Sequence, residues 1–154
     1  MMKMIEGELL AHSSRVAVAV SRFNGFITDH LLDSAVNTWI RLGGQESNLT
    51  IVRVPGSLEL AVTTKKLACS GSFAAVVCLG CVIRGQTDHY DHVVEQTVKG
   101  IREVGTATGV PCIFGVLTCD RLEQAIDRAG AKMGNQGGQA MMAAIEMANL
   151  LKKL

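Results

Sequence analysis

The sequence predicts an α/β fold: a three-layer α/β/α sandwich with a central four-stranded parallel sheet and helices on both faces. Three observations carry this expectation. Short segments rich in Val, Ile, Leu and Ala recur along the chain, and segments of helical period lie between them. The strand segments are also apolar nearly throughout rather than alternating, as strands covered on both faces must be.

The elements justify themselves in order. "RVAVAVS" (Arg15–Ser21) is the first strand. After it, "FITDHLLDSAVNTWIRLGG" places Leu31, Leu32, Ala35, Val36, Trp39 and Ile40 on one helical stripe and stops at Gly43–Gly44. "LTIVRVP" (Leu49–Pro55) is the second strand. The helix in "SLELAVTTKKLACSG" has Ser57 as its expected N-cap and Gly71 beyond its end. "FAAVVCLGCVI" (Phe73–Ile83) is the third strand, and Thr87 is expected to cap a helix running through His89, Val93, Val94 and Ile101. "PCIFGVLTC" (Pro111–Cys119) is the fourth, followed by "CDRLEQAIDRAGAK", where Asp120 and Glu123 form a first-turn signature. A last helix, Gln139–Lys153, carries Ala140, Met141, Ala144, Ile145, Ala148 and Leu151 on one face. The order is flavodoxin-like. The residues before Arg15 have too weak a pattern to assign, and leave a short extra strand open.

Composition bounds the function. The 154 residues suit one domain, 1–154, with a real core. Hydrophobic residues make up 48% but aromatics only 4%, so the core is aliphatic. A net charge of +1 without long charged runs argues against nucleic acid or an anionic membrane as partner. "MMKMIEGELLAHSS" has no apolar signal core, and no stretch is long enough to span a bilayer. The five cysteines read as reduced thiols in a cytoplasmic compartment. Cys78 and Cys81 form a C-x-x-C, but both lie in the strand segment, where that spacing puts them on opposite faces. No second C-x-x-C follows, so they are expected to be core thiols rather than a redox or metal pair.

Polar residues concentrate just after the strands, where open parallel sheets bind ligands. The first strand leads into Arg22, Phe23 and Asn24; the second into Pro55, Gly56, Ser57 and Glu59. The third opens into "RGQTDHYDH", with Gly85 permitting close backbone approach and Gln86 and Thr87 presenting N–H groups at a helix start. A helix start is a ready anion site, with phosphate a common occupant. His89 is placed to move protons near neutral pH. There is no Walker A loop, and no G-x-G-x-x-G after a strand, so nucleotide binding is not indicated.

Plainer readings stand beside these. His89 and His92, each preceded by an acid, have a metal-like spacing, but such first-turn residues are ordinarily solvated and no metal is expected. Phe23 is equally explained as a hydrophobic contact at a helix entrance, and Glu59 as a cap. Arg128 and Lys132 are equally a solvated basic stripe. The residues alone reach an α/β domain that binds a small phosphorylated ligand.

Five blocks carry more: "RFNGFIT", "VPGSLEL", "GCVIRGQTDHYDHV", "FGVLTCDRLEQAIDRAGAKMGN" and "AIEMANL". In this order and spacing, across essentially the whole chain, they resemble the lumazine synthase (6,7-dimethyl-8-ribityllumazine synthase) family. The resemblance implies the penultimate step of riboflavin biosynthesis, with no metal or organic cofactor. 5-Amino-6-(D-ribitylamino)uracil condenses with 3,4-dihydroxy-2-butanone 4-phosphate, releasing phosphate and water. By position, Phe23 matches the aromatic that stacks on the pyrimidine, and Ser57, Leu58 and Glu59 the segment holding the ribityl chain. Cys81, Val82 and Ile83 match the backbone that reads the uracil edge. Gln86 and Thr87 match the phosphate turn, and His89 the proton-transfer residue. Phe114 and Arg128 match groups contributed by the adjacent subunit, with Arg128 on the phosphate.

That placement implies a homo-oligomer with sites between subunits: a pentamer, in some relatives assembled into an icosahedral shell of sixty. Riboflavin synthase is a further partner in that setting. "AGAKMGNQGG" has no insertion of the kind that obstructs a shell, and the small-residue last helix suits close packing, between subunits or within one. Two positions depart from the family pattern: Gln136, where many relatives have lysine, and Asp88, where a neutral residue is frequent. They keep open a scaffold that binds flavin or lumazine without turnover. Another rival is a lumazine-dismutating riboflavin synthase of archaeal type, which Thr87 and Arg128 oppose because lumazine carries no phosphate.

Overall fold

The computed structural model describes residues 1–154. The strands are β1 (Val16–Ser21), β2 (Leu49–Val54), β3 (Ala75–Ile83) and β4 (Cys112–Cys119). The helices are α1 (Gly25–Arg41), α2 (Leu60–Cys69), α3 (His89–Thr108), α4 (Leu122–Arg128) and α5 (Gln136–Leu151). All strand pairs are parallel, in the order β2-β1-β3-β4. The three-layer α/β/α sandwich with its four-stranded parallel sheet is the architecture expected from the apolar strands.

Alternation along the strands divides the core. Val16, Val18 and Val20 of β1, with Val77, Leu79 and Cys81 of β3, pack under α1, α4 and α5. Ala17, Ala19, Val76 and Cys78 pack on the other face under α2 and α3. Cys78 and Cys81 therefore do face opposite ways, and the thiol of Cys78 lies 3.2 Å from the Thr64 hydroxyl. Trp39 anchors the first layer, fully buried, with its indole N–H donating to the Gln45 carbonyl at 2.9 Å.

Helix ends differ from expectation in four places. Ser57 does not cap α2; it is buried in a 3₁₀ turn, Ser57–Glu59, and α2 begins at Leu60. Thr87 lies one residue before the cap position Asp88, though its hydroxyl accepts the His89 N–H at 3.3 Å. At α4 it is Gln124, not Glu123, that reaches back, its side-chain oxygen accepting from the N–H groups of Asp120 and Arg121 at 2.9 and 3.1 Å. Finally, α5 starts three residues early, at Gln136, capped by the Asn135 side chain accepting the Gly137 N–H at 2.8 Å. The early start has a packing reason. A Cβ on Gly137 would collide with the Leu31 backbone, so the bare glycine lets α5 close against α1.

Two lesser corrections follow from packing. Ile40 is exposed on α1 rather than part of its buried stripe. No strand precedes β1; residues before it lie along α5 instead, with Asn149 donating to the carbonyls of Glu8 and Leu10 at 2.7 and 2.8 Å.

Candidate functional site

The strand order creates the site. From β1 the chain moves outward to β2, then crosses back to β3 on the other side of β1. Connections leaving β1 and β3 diverge at such a switch point and leave a crevice beyond the carboxyl ends. A cleft of about 440 Å³ lies there, within the range of small-molecule sites. A larger hollow of about 520 Å³ lies between α1 and the α4–α5 connection, but it gathers no strand end and no residue from the turns after β1, β2 or β3.

Three turns are stitched together at the cleft. The N–H groups of Arg22 and Phe23 donate to the carbonyls of Val54 and Pro55 at 2.8 and 3.0 Å, tying the first turn to the second. Asn24 ties it to the third, its side-chain amide donating to the Cys81 carbonyl at 2.8 Å. To do so Asn24 adopts a left-handed conformation, φ 58 and ψ 43, while its own carbonyl accepts from Ile27 and Thr28 to begin α1. Phe23 is consequently held on the cleft wall, 72% exposed, too open for an ordinary hydrophobic contact at the helix entrance.

The second turn contributes Gly56, Ser57, Leu58 and Glu59. Glu59 occupies the cap position of α2, yet its carboxylate makes no capping bond, so capping does not explain it. The Ser57 hydroxyl points to the floor, where a Cβ on Gly80 would come within 2.8 Å of it. The third strand lends Cys81, Val82 and Ile83. β3 outruns β1, whose last residue, Ser21, stands level with Gly80, so from Cys81 onward the edge that faced β1 has no strand beside it, and the Cys81 carbonyl there is met by Asn24. Burial pushes the Cys81 thiol up to about 12, so the chemistry this residue offers is its backbone.

Gly85, Thr87 and His89 complete the wall at the start of α3. The N–H groups of Gly85, Gln86, Thr87 and Asp88 make no bond to a backbone carbonyl, leaving a run of donors at the positive end of a helix. Gln86 is exposed and its side chain does not line the cleft; neither do Asp88 and Gln136, the two departures from the family pattern. Phe114, partly exposed on β4, and Arg128, the last residue of α4, also stand outside it. Arg128 and Lys132 do not form a helical stripe, because α4 ends before Lys132; Arg128 donates to the Gln124 carbonyl at 3.2 Å.

Two further wall residues, Tyr90 and Val93, were not singled out from the sequence. Helical spacing was the available signal for Val93, four residues after His89.

Residues 13–152 match the family model of 6,7-dimethyl-8-ribityllumazine synthase, nearly the whole chain. The chain belongs to that family. Its function is therefore that of a 6,7-dimethyl-8-ribityllumazine synthase, a transferase of riboflavin biosynthesis acting on the substrates of that reaction. No helix is long and apolar enough to cross a membrane.

Proposed function

We propose that the cleft at the β1–β3 switch point is the lumazine synthase active site, completed by a second copy of the chain. The whole of 1–154 then acts as a single lumazine synthase domain. One observation carries this reading. Phe23, Ser57, Leu58, Glu59, Cys81, Val82, Ile83, Thr87 and His89 line one cleft, while Phe114 and Arg128, the two groups expected from a neighbour, lie outside it.

In this reading Phe23 stacks on the pyrimidine of 5-amino-6-(D-ribitylamino)uracil, and the backbone of Cys81–Ile83 reads its polar rim. Glu59 accepts from the ribityl hydroxyls beside Ser57 and Leu58. The N–H groups at Gln86 and Thr87 receive the phosphate of 3,4-dihydroxy-2-butanone 4-phosphate, with Arg128 of the adjacent subunit adding a guanidinium. The substrate amine attacks the ketone, and water leaves as the imine forms. Phosphate is then eliminated, taking the electron pair of its C–O bond. Ring closure with loss of a second water gives the lumazine. His89 moves protons between amine, carbinol oxygen and leaving group, and no metal or organic cofactor is required.

An oligomer also accounts for the surface. Phe23, Phe26 and Phe114 are all exposed, as are Leu58, Val62, Leu122 and Ile126. A chain with so few aromatics does not leave half of them to water unless something covers them. A pentamer, alone or as a building block of an icosahedral shell, supplies that cover, and a shell would have room for riboflavin synthase. Free thiols at all five cysteines fit a cytoplasmic setting.

The test is to mix the protein with both substrates and follow lumazine absorbance and phosphate release together, subtracting the uncatalysed condensation. Product well above background, with equal phosphate, is expected. A folded oligomer that binds flavin but forms no product would overturn the reading.

A further inference from the structure

Arg84 belongs to no part of the site described so far. It continues β3 by one residue, its N–H donating to the Cys119 carbonyl at 2.8 Å. Its guanidinium then meets three partners from two elements. Nε donates to Asp120 Oδ1 at 2.8 Å, at the β4–α4 junction. Nη2 and Nη1 donate to the two carboxylate oxygens of Asp91 at 3.3 and 3.4 Å. The guanidinium carbon also lies 4.3 Å from the centroid of the Tyr90 ring. Tyr90 and Asp91 are the two residues that follow His89.

We propose that Arg84 is a positioning residue for the reaction: its guanidinium pins the first turn of α3 to the β4–α4 junction and so fixes the Gly85–His89 turn against the sheet. This rests on the reading of that turn as the phosphate and proton-transfer site. The turn makes few bonds of its own, since the N–H groups of Gly85 to Asp88 reach no backbone carbonyl and His89 N–H reaches only the Thr87 hydroxyl. The clamp behind it supplies the missing constraint. Its shape needs arginine: a planar fork satisfies two carboxylates while its face stacks on an aromatic ring, which an ammonium cannot do. The Asp120 carboxylate first, then Asp91, raise the guanidinium above its ordinary pKa, so it remains charged wherever the enzyme works.

The side chains are 43%, 60% and 65% exposed for Arg84, Asp91 and Asp120, so these bridges contribute little to global stability and their variants should fold.

The test compares Arg84→Met, Arg84→Lys and Asp120→Asn with wild type, measuring kcat, the apparent KM for each substrate, and Tm. Arg84→Met should raise the KM for the butanone phosphate about tenfold, short of the ~10²-fold that an ångström of misplacement costs. The KM for the uracil and the Tm should barely move. Lysine should not rescue. Asp120→Asn, which leaves the guanidinium in place but unties it, should shift the same KM in the same direction by less. Rescue by lysine, or a lower KM in Asp120→Asn, would mean Arg84 serves the phosphate directly by charge, and would overturn the positioning role. Unchanged constants in all three would also overturn it. A wild type without turnover overturns the functional reading itself, and this inference with it.

Discussion

Asn24 is the residue on which the cleft's geometry turns. It is the only non-glycine besides His12 with a positive φ, and it holds Phe23 on one side and the Cys81 peptide on the other. Backbone in this region costs a non-glycine about 1–3 kcal/mol unless its surroundings impose it. Here the amide bond to Cys81 does so. Asn24→Gly keeps the conformation and loses the bond. It should leave Tm within a few degrees, yet raise the KM for the ribitylaminouracil several-fold, on the order of the 0.5–1.5 kcal/mol typical of one such bond. A steady-state assay with the butanone phosphate saturating decides it; an unchanged KM would mean Phe23 is placed without Asn24. The sequence marked this region only as a break in an apolar pattern. Asn followed by Gly is a left-handed turn signal, but the partner carbonyl lies 57 residues away and no local pattern can name it. Phe23, Glu59 and His89 were legible for the opposite reason, as polar or aromatic groups set where a parallel sheet presents ligands. Tyr90 escaped because an aromatic in a helix's first turn looks like an ordinary packing residue until Arg84 is seen against it.

Among the elements, the strands were legible to within a residue or two, since buried parallel strands write themselves as apolar runs. Strand order was not, because nothing local tells β3 to return beside β1. Helix starts failed where a distant contact overrode the local signal. At α5 the pair Gly137–Gly138 reads as a helix breaker, whereas their missing side chains are what lets the helix meet α1: a Cβ on Gly138 would stand 2.7 Å from the Ser34 hydroxyl. Gly137→Ala should therefore destabilise although alanine is the better helix former. The obstacle is the Leu31 backbone, which cannot rotate away. Overpacking of this kind costs about 1–3 kcal/mol, or a fall in Tm of roughly 2–12 °C for a chain of this size. Thermal unfolding followed by circular dichroism checks it, and a Tm equal to or above wild type would mean α1 and α5 are not in the tight contact described. Gly138→Ala, meeting movable hydroxyls instead of backbone, should cost less.

For the whole molecule, the buried thiols set an alkaline limit. Burial pushes Cys78 and Cys81 up to about 12 and Cys112 to about 11, against an ordinary value of 9.0. Unfolding returns them to that ordinary value, so the unfolded chain releases protons first. Stability is then full below pH 9.0 and falls as pH rises toward the folded values, by up to about 1.4 kcal/mol per pH unit for Cys78 and for Cys81 and by less for the half-buried Cys112. Denaturant midpoints measured from pH 8 to 11 should decline across that window, and more shallowly in a Cys78→Ala variant once its lower starting stability is subtracted. A flat profile would mean the thiols are not shielded as their positions indicate.

The same scale carries the sharpest consequence of a site shared between copies. His89 lies in the chain's own cleft and Arg128 outside it. If Arg128 serves the neighbour's phosphate, His89→Ala and Arg128→Ala damage different contributions to one site. Alone, His89→Ala should slow turnover by roughly one to three decades, since acid–base groups give about 10²–10⁴-fold and this amine and ketone also react unaided. Arg128→Ala should chiefly raise the KM for the butanone phosphate. On the proposed pentamer, the two variants coexpressed in equal amounts would assemble into mixed rings with head-to-tail contacts. Whenever a chain with intact His89 meets a neighbour with intact Arg128, one wild-type site results, and chance pairing places this at about a quarter of the sites. Activity at low butanone phosphate should rise to about that fraction of wild type, far above either variant alone. Were both residues to act within one chain, mixing would restore nothing, because every chain would still carry one defect. The recovered rate thus reads the distance between Arg128 and its own cleft as a statement about which molecule it serves.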